Sequence, residues 1–258
     1  MGIIGFGKMG EAIGKALINK GFKVATHDPS PERRKLAESM GIEVATSNAH
    51  VAESSELLII AVKPQVFREV AGSMRGAVAD TGVAVSVMAG VSSQTLKEAL
   101  GIDRVVRVMP NTPALVGEGA VAVSFCGDFS PEERKKVFEV LEGLGEVFEV
   151  PEGYMDAITG LSGSGPAYIF LFIEALSDAG VKVGLPRDLA TRLSIQTVKG
   201  SVKLLTETGA SCRELLEAVT SPGGTTIHGL HELEKSGFKG IVMEAVEAAT
   251  RRSRELGG

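Results

Sequence analysis

Two short stretches of this 258-residue chain combine residue types and spacings that could do chemistry. The first is Gly5-Phe6-Gly7-Lys8-Met9-Gly10, set between an apolar strand, Gly2-Ile3-Ile4, and a run of helical spacing from Glu11 to Ile18. In that context Gly5 permits a tight turn, Gly7 lets a pyrophosphate approach the backbone, and Gly10 lets the helix lie close on the strand. The phosphates would face the positive end of the helix, so Gly5, Phe6, Gly7, Lys8, Met9 and Gly10 are candidates for dinucleotide binding. The second stretch is Val219-Thr220-Ser221-Pro222-Gly223-Gly224-Thr225-Thr226-Ile227, a serine and two glycines ahead of a helix. Such a turn gathers backbone N–H groups and hydroxyls into an anion cradle, and a carboxylate is a natural guest. The plainer reading is a helix cap, which would use Ser221 but would give Gly223, Gly224, Thr225 and Thr226 no purpose.

The elements that must carry these stretches are legible from periodicity. A second strand, Lys23 to His27, ends at Asp28, whose carboxylate could take both ribose hydroxyls and repel a 2′-phosphate. Arg33 and Arg34 follow and could receive such a phosphate, and Asp28-Pro29-Ser30 also reads as a helix cap. The cofactor is therefore NADH or NADPH, with Asp28 leaning the choice to NADH; His27 beside it reads as an exposed residue. A short strand near Ile42 to Val44, a polar loop holding Asn48, and the continuous apolar run Leu57 to Val62 follow, the last typical of a central parallel strand. Lys63-Pro64 ends it, which puts Ala61, Val62, Lys63 and Pro64 at the crevice outside the carboxyl ends of the strands. Val83 to Val87 repeats the arrangement and ends in Met88-Ala89-Gly90. Val105 to Val108 repeats it again before Met109-Pro110-Asn111-Thr112-Pro113, a rigid turn expected to aim polar groups into the same crevice. A strand from Gly119 to Val123, a helix opening at the capping box Ser130-Pro131-Glu132-Glu133, and a last strand from Glu146 to Val150 close this half at Pro151.

From Glu152 onward helical spacing dominates. Leu161-Ser162-Gly163-Ser164-Gly165-Pro166-Ala167-Tyr168 launches a helix with Ser164 or Gly165 as cap, and Gly184-Leu185-Pro186 stops it. Tyr168 to Ile173 is apolar on every face, so burial on all sides is expected, mostly under helices further along the chain and in part under a second chain. Glu174 and Asp178 interrupt the run short of the roughly 18 apolar residues of a membrane span. The fold class is thus α/β: an N-terminal Rossmann-type doubly wound sheet over residues 1–151, then an all-α domain over residues 152–258. A net charge of −5 and a pI near 5.5 argue against a nucleic-acid surface and favour a small-molecule partner. Cys126 and Cys212 lack metal-ligand spacing and read as reduced thiols; with no room for a leader after Met1, the expected location is the cytoplasm and no metal is expected.

Over essentially its whole length the sequence resembles the pyrroline-5-carboxylate reductases. The resemblance rests on Ile4 to Gly10, on Ala61-Val62-Lys63-Pro64, on Met109 to Pro113, and most specifically on Leu161 to Tyr168 and Ser221 to Thr226. Lys8 stands where asparagine is common, and Asp28 departs from the Asn-Arg or Ser-Pro turns of many relatives. The resemblance implies that Asn48, the Ala61 to Pro64 loop, Met88 and Ala89 touch the nucleotide. It also implies that Ser221, Gly223, Gly224, Thr225 and Thr226 hold the carboxylate of 1-pyrroline-5-carboxylate, with Thr226 near the ring nitrogen as the catalytic contact. Helical domains of the family interlock into homodimers or larger rings. A carbonyl reductase needs a positioned acid for its nascent alkoxide. Ile169 occupies the position where 3-hydroxyacid dehydrogenases place a lysine, which argues against that rival. The anion cradle argues against a non-enzymatic NAD-sensing module.

Overall fold

The computed structural model of the chain describes residues 1–78 and 82–257. The described residues form two compact units, one of Met1–Ser164 with Glu247–Gly258 and one of Gly165–Val246.

The first unit is built on an eight-stranded sheet in the order β3-β2-β1-β4-β5-β6-β7-β8. Its strands are β1 (Gly2–Ile4), β2 (Ala25–His27), β3 (Glu43–Val44), β4 (Leu57–Ile60), β5 (Val83–Ser86), β6 (Val105–Met109), β7 (Gly119–Cys126) and β8 (Gly145–Glu149). The first six run parallel; β7 is antiparallel to β6, with Arg107 beside Ser124, and β8 is parallel to β7. The helices of this unit are α1 (Lys8–Asn19), α2 (Pro31–Ser39), α3 (Asn48–Glu53), α4 (Phe67–Ser73), α5 (Ser93–Leu100), α6 (Pro131–Leu141) and the short α7 (Met155–Ile158). All four residues of β4 are buried because both sheet faces are covered: Leu57 and Ile59 join one apolar cluster with Phe6 and Leu17, Leu58 and Ile60 the other with Phe67 and Leu96. This is why its sequence runs apolar without alternation. Chain order reverses between β1 and β4, and ligands of such sheets bind at that switch point, outside the carboxyl ends of the strands.

A π-helical turn, Thr159–Gly163, precedes the second unit. That unit comprises α8 (Gly165–Lys182), α9 (Arg187–Thr208), α10 (Cys212–Ala218), α11 (Thr225–Lys235) and the part of α12 (Phe238–Gly257) up to Val246. Gly184, at φ +102°, turns the chain between α8 and α9, and a Cβ on Gly180 would lie 2.8 Å from that of Ala190, so the two helices approach closely. Within this unit only Ser177, Ala190 and Ser194 are fully buried. The expectation that the chain's own helices supply most of the cover over Tyr168 to Ile173 is not met at its centre: Phe170 and Leu171 are 64% and 66% exposed, and Ile169 is 49% exposed. Leu193 and Ile195 on α9 and Ile241 and Met243 on α12 are exposed as well. A helical unit with so little interior must bury its apolar surface elsewhere. No helix is long and apolar enough to cross a membrane among the described residues.

Candidate active site

The three glycines of the first loop stand in three different surroundings. Gly5 has φ +88°, and a Cβ there would lie 2.8 Å from Val62 Cγ1 and 2.9 Å from the Ala61 carbonyl oxygen. A Cβ on Gly10 would stand 2.2 Å from the Gly5 carbonyl oxygen, so α1 can lie this close to the loop only without a side chain. At Gly7 nothing lies within 4 Å of the Cβ position, and φ −69°, ψ −166° suits any residue. The protein's own packing therefore does not demand glycine at position 7. Gly7 is also the N-cap of α1 and supplies no side-chain bond, whereas α2, α3, α5 and α6 are capped by Ser30, Ser47, Ser92 and Ser130. An open N-terminus behind a glycine that packing does not need fits a pyrophosphate.

Around this loop the structure gives the other candidates definite partners. Asp28 accepts hydrogen bonds from the Phe6 N–H through Oδ2 (2.7 Å) and from the Ser30 N–H through Oδ1 (2.8 Å). Ser30, not Asp28, caps α2 by accepting from the Arg33 N–H, so the helix-cap reading of Asp28 gives way to a clamp between β2 and the glycine loop. Each carboxylate oxygen keeps acceptor capacity for a ribose hydroxyl. Both arginines are engaged: Arg33 with Glu11 at 3.2 Å, and Arg34 with the carbonyl oxygens of Asp28 and Pro29 at 3.0 Å each. Lys8 is largely solvated, 4.0 Å from Glu11. Asn48 is not in a loop; it opens α3 under the Ser47 cap, its Oδ1 facing His27 Nδ1 at 2.8 Å while its Nδ2 donates to Ser73 Oγ at 3.0 Å. His27 is accordingly half-buried rather than exposed.

Ala61 continues from β4 by donating its N–H to the Ile4 carbonyl at 2.8 Å, which holds the Ala61 to Pro64 segment beside the glycine loop. Ala89 is half-buried, but the Met88 side chain is packed in the core, so a nucleotide contact at Met88 falls to its backbone. Asn111 does not point a free amide into the crevice. Its Oδ1 accepts from the Ala120 N–H at 3.0 Å and its Nδ2 donates to the Ser162 carbonyl at 3.1 Å, because the turn after β6 must be tied to β7 and to the π turn.

One cluster gave no sequence signal. Glu152 accepts from the Ser93 N–H (2.7 Å) and Arg107 (3.1 Å) through Oε1, and from the Ser93 hydroxyl (2.6 Å) and Cys126 Sγ (3.5 Å) through Oε2. Arg107 is 7% exposed. Burial alone would raise the Glu152 pKa, but the Ser93 hydroxyl and N–H and the Arg107 guanidinium together hold it below the ordinary glutamate range. Burial pushes the Cys126 thiol up, with the Glu152 charge adding to it, so this cysteine is a poor nucleophile. Partners 45 and 59 residues apart cannot be paired from spacing.

In the helical unit, Gly223 has φ +67° and the Gly224 N–H donates to the Ser221 carbonyl at 3.1 Å, closing a turn ahead of α11. The N-cap of α11 is Gly224, with no side-chain bond. Ser221 does not cap the helix, which removes the simple-cap reading. A Cβ on Gly224 would come 2.3 Å from Ser221 Oγ, so the second glycine is what lets the serine hydroxyl stand over the open helix end. Thr225 and Thr226 occupy the first two helical positions, where backbone N–H groups have no intrahelical partner. His228 Nδ1 lies 2.8 Å from the Gly224 carbonyl and steadies the capping glycine, a role the sequence did not signal. Among the described residues no group of three or more His, Cys, Asp or Glu could hold a metal ion.

A family model described as pyrroline-5-carboxylate reductase dimerisation matches residues 152–256, and one described as NADP oxidoreductase coenzyme F420-dependent matches residues 1–90. The pyrroline-5-carboxylate reductase of Pisum sativum is 45% identical over 99% of this chain and 95% of its own length. That of Synechocystis is 44% identical over 100% of this chain and 98% of its own. The crystal structure of the Plasmodium falciparum pyrroline carboxylate reductase with NADP bound superposes with a TM-score of 0.91 at 35% identity, covering 100% of this chain and 97% of that one. With relatives this similar along its full length, the chain belongs to the pyrroline-5-carboxylate reductase family.

Proposed function

We propose that this protein reduces the C=N bond of 1-pyrroline-5-carboxylate to L-proline by hydride transfer from NADH or NADPH. The observation that carries the site assignment is that α1 and α11 both begin at a glycine that leaves the helix end uncapped, next to motifs suited to two different anions. The loop Gly5 to Gly10 would hold the pyrophosphate, Asp28 and Asn48 would border the adenosine half, and Ala61 to Pro64 with Met88 and Ala89 would border the remainder. When bound, the nicotinamide supplies the hydride. Asp28 keeps a negative charge where a 2′-phosphate would add another, and Arg33 and Arg34 already have partners. That arrangement supports the lean to NADH.

The substrate carboxylate would take the N–H groups at the start of α11 and the hydroxyl of Ser221, with Gly223 and Gly224 giving access and Thr225 completing the first turn. Thr226 would hydrogen-bond the ring nitrogen and fix the face of the ring presented for reduction. A cyclic imine can arrive protonated; hydride adds to its ring carbon, the C=N π pair moves to nitrogen, and the cation is neutralised without a protein acid. Ile169 offers no acidic group, which fits that economy of groups.

The protein is a homo-oligomer: the exposed apolar residues of α8, α9 and α12 lie within the segment matched by the dimerisation family, and a second copy would cover them. We divide the functions at residues 151 and 152, where that match begins, and place the protein in the cytoplasm, in keeping with the free thiols Cys126 and Cys212. The test is cofactor oxidation with 1-pyrroline-5-carboxylate, run beside 2- and 3-hydroxy acids in the reverse direction. Turnover with the hydroxy acids and none with the imine would refute the assignment.

A further inference from the structure

The loop between β5 and α5 borders the half of the crevice beyond the switch point, where folds of this kind place the second mononucleotide, the nicotinamide half. Its near end is fixed by β5: the Val87 N–H donates to the Ile60 carbonyl at 3.2 Å and the Met88 N–H to Ser86 Oγ at 3.3 Å. Its middle turns at Gly90, φ +77°, and Val91 is buried. Its far end is the start of α5, where Ser92 Oγ accepts from the Thr95 N–H at 3.1 Å. Helix α5 thus has an ordinary cap of its own. A second acceptor, the Glu152 carboxylate, takes the N–H and hydroxyl of Ser93 and joins them to Arg107 of β6.

We propose that Glu152 is a positioning residue, which fixes the far end of the Val87 to Ser92 loop and so shapes the nicotinamide half of the crevice. The loop is otherwise anchored at β5, through the buried side chains of Met88 and Val91, and by the Ser92 cap. The carboxylate adds two bonds at the first residue past the loop and borrows rigidity from β6 through a nearly buried guanidinium. Glutamine at position 152 can still accept from the Ser93 N–H but presents an amide N–H₂ to the Ser93 hydroxyl and to Cys126, and it carries no charge toward Arg107. A role confined to balancing the Arg107 charge would alter stability without favouring one half of a dinucleotide over the other.

This inference rests on the reading of the crevice as a nicotinamide dinucleotide site, and its test separates the two. Affinities of wild type and Glu152→Gln are measured by calorimetry for the reduced dinucleotide that the wild type prefers and for the matching ADP-ribose fragment, which lacks nicotinamide. Hydrogen exchange of amides 87–93 is followed in the free proteins. The expected result is a dinucleotide affinity weakened about five- to tenfold, an unchanged fragment affinity, and faster exchange in the loop. Equal weakening of both ligands, or no change in either, overturns the positioning role. Failure of wild type to bind any reduced dinucleotide would instead overturn the underlying reading. Should Glu152→Gln not fold, Ser93→Ala decides: it removes one bond and leaves the ion pair intact, and the same selectivity at about two- to threefold is expected. Equal or absent effects on the two ligands refute the proposal there too. Glu149→Gln, which removes an exposed partner of Arg134 near the same strand end, serves as the unaffected control.

Discussion

Replacing Gly7 by valine tests whether that glycine exists for a ligand. The Cβ would meet no protein atom within 4 Å, and the backbone at φ −69°, ψ −166° is extended and open to a β-branched residue. The variant should therefore fold. As an N-cap, valine is somewhat worse than glycine, a cost of about 1 kcal/mol or less. The pyrophosphate is a different matter, since its oxygens must come within about 2.7–2.9 Å of the loop N–H groups to form charge-assisted bonds. A valine side chain standing in that space would remove about two such bonds, each contributing about 1.5–3 kcal/mol. The sum, roughly 3–6 kcal/mol, corresponds to affinity weaker by about 10²- to 10⁴-fold. Calorimetric titration with NADH and NADPH measures this, and thermal melting reports the fold. Gly10→Ala provides the contrast, because its Cβ would stand 2.2 Å from the Gly5 carbonyl oxygen and should lower the melting temperature. Unchanged dinucleotide affinity in a folded Gly7→Val protein would show that the loop does not approach a pyrophosphate.

Asp28→Ser should raise the ratio of NADPH to NADH efficiency by removing a charge beside the 2′ position; it should also cost some stability, since the Phe6 and Ser30 N–H groups lose their acceptor, and a steady ratio would reassign Asp28 to clamping alone. Thr226→Ala should lower efficiency about threefold to tenfold, the loss of one orienting hydrogen bond, with an unchanged pH profile for turnover; a fall of about 10⁴-fold with substrate binding intact would make it part of a proton relay. Sedimentation at micromolar concentration should show a dimer or larger, and a charge on the exposed face of α8, as in Leu171→Lys, should weaken it; a monomeric wild type would refute the covered face. Glu152 has a depressed pKa, so its contribution to stability is complete above the ordinary glutamate pKa and is lost as pH falls through the depressed value. Acid melting of Glu152→Gln should accordingly show a shallower loss over that window than wild type, and parallel curves would remove the linkage.

The glycine loop, the strands of the nucleotide half and the turn before α11 were legible in the chain because their causes are local. A φ of +88° at Gly5, a close approach at Gly10 and an all-apolar β4 each leave a mark within a few residues of where they act. The same holds for the boundaries of α8, written in Gly165-Pro166 and in Gly184. The partners of Asp28, Asn48 and Asn111 were decided only by tertiary structure. Aspartate and asparagine side chains are short and polar, and which N–H or carbonyl they meet depends on which loops the sheet order brings together. Asn111 meets Ala120 and Ser162 in this way. Glu152 is the extreme case: its partners come from α5, β6 and β7, and no pattern along the chain distinguishes it from the surface glutamates around it. The apolar face of α8 shows the limit from the other direction. The sequence by itself determined that Tyr168 to Ile173 must be covered, because that much apolar surface is costly in water. Only the structure showed that the chain's own helices leave Ile169 to Leu171 open, since what covers a surface is settled by the packing of elements distant in sequence.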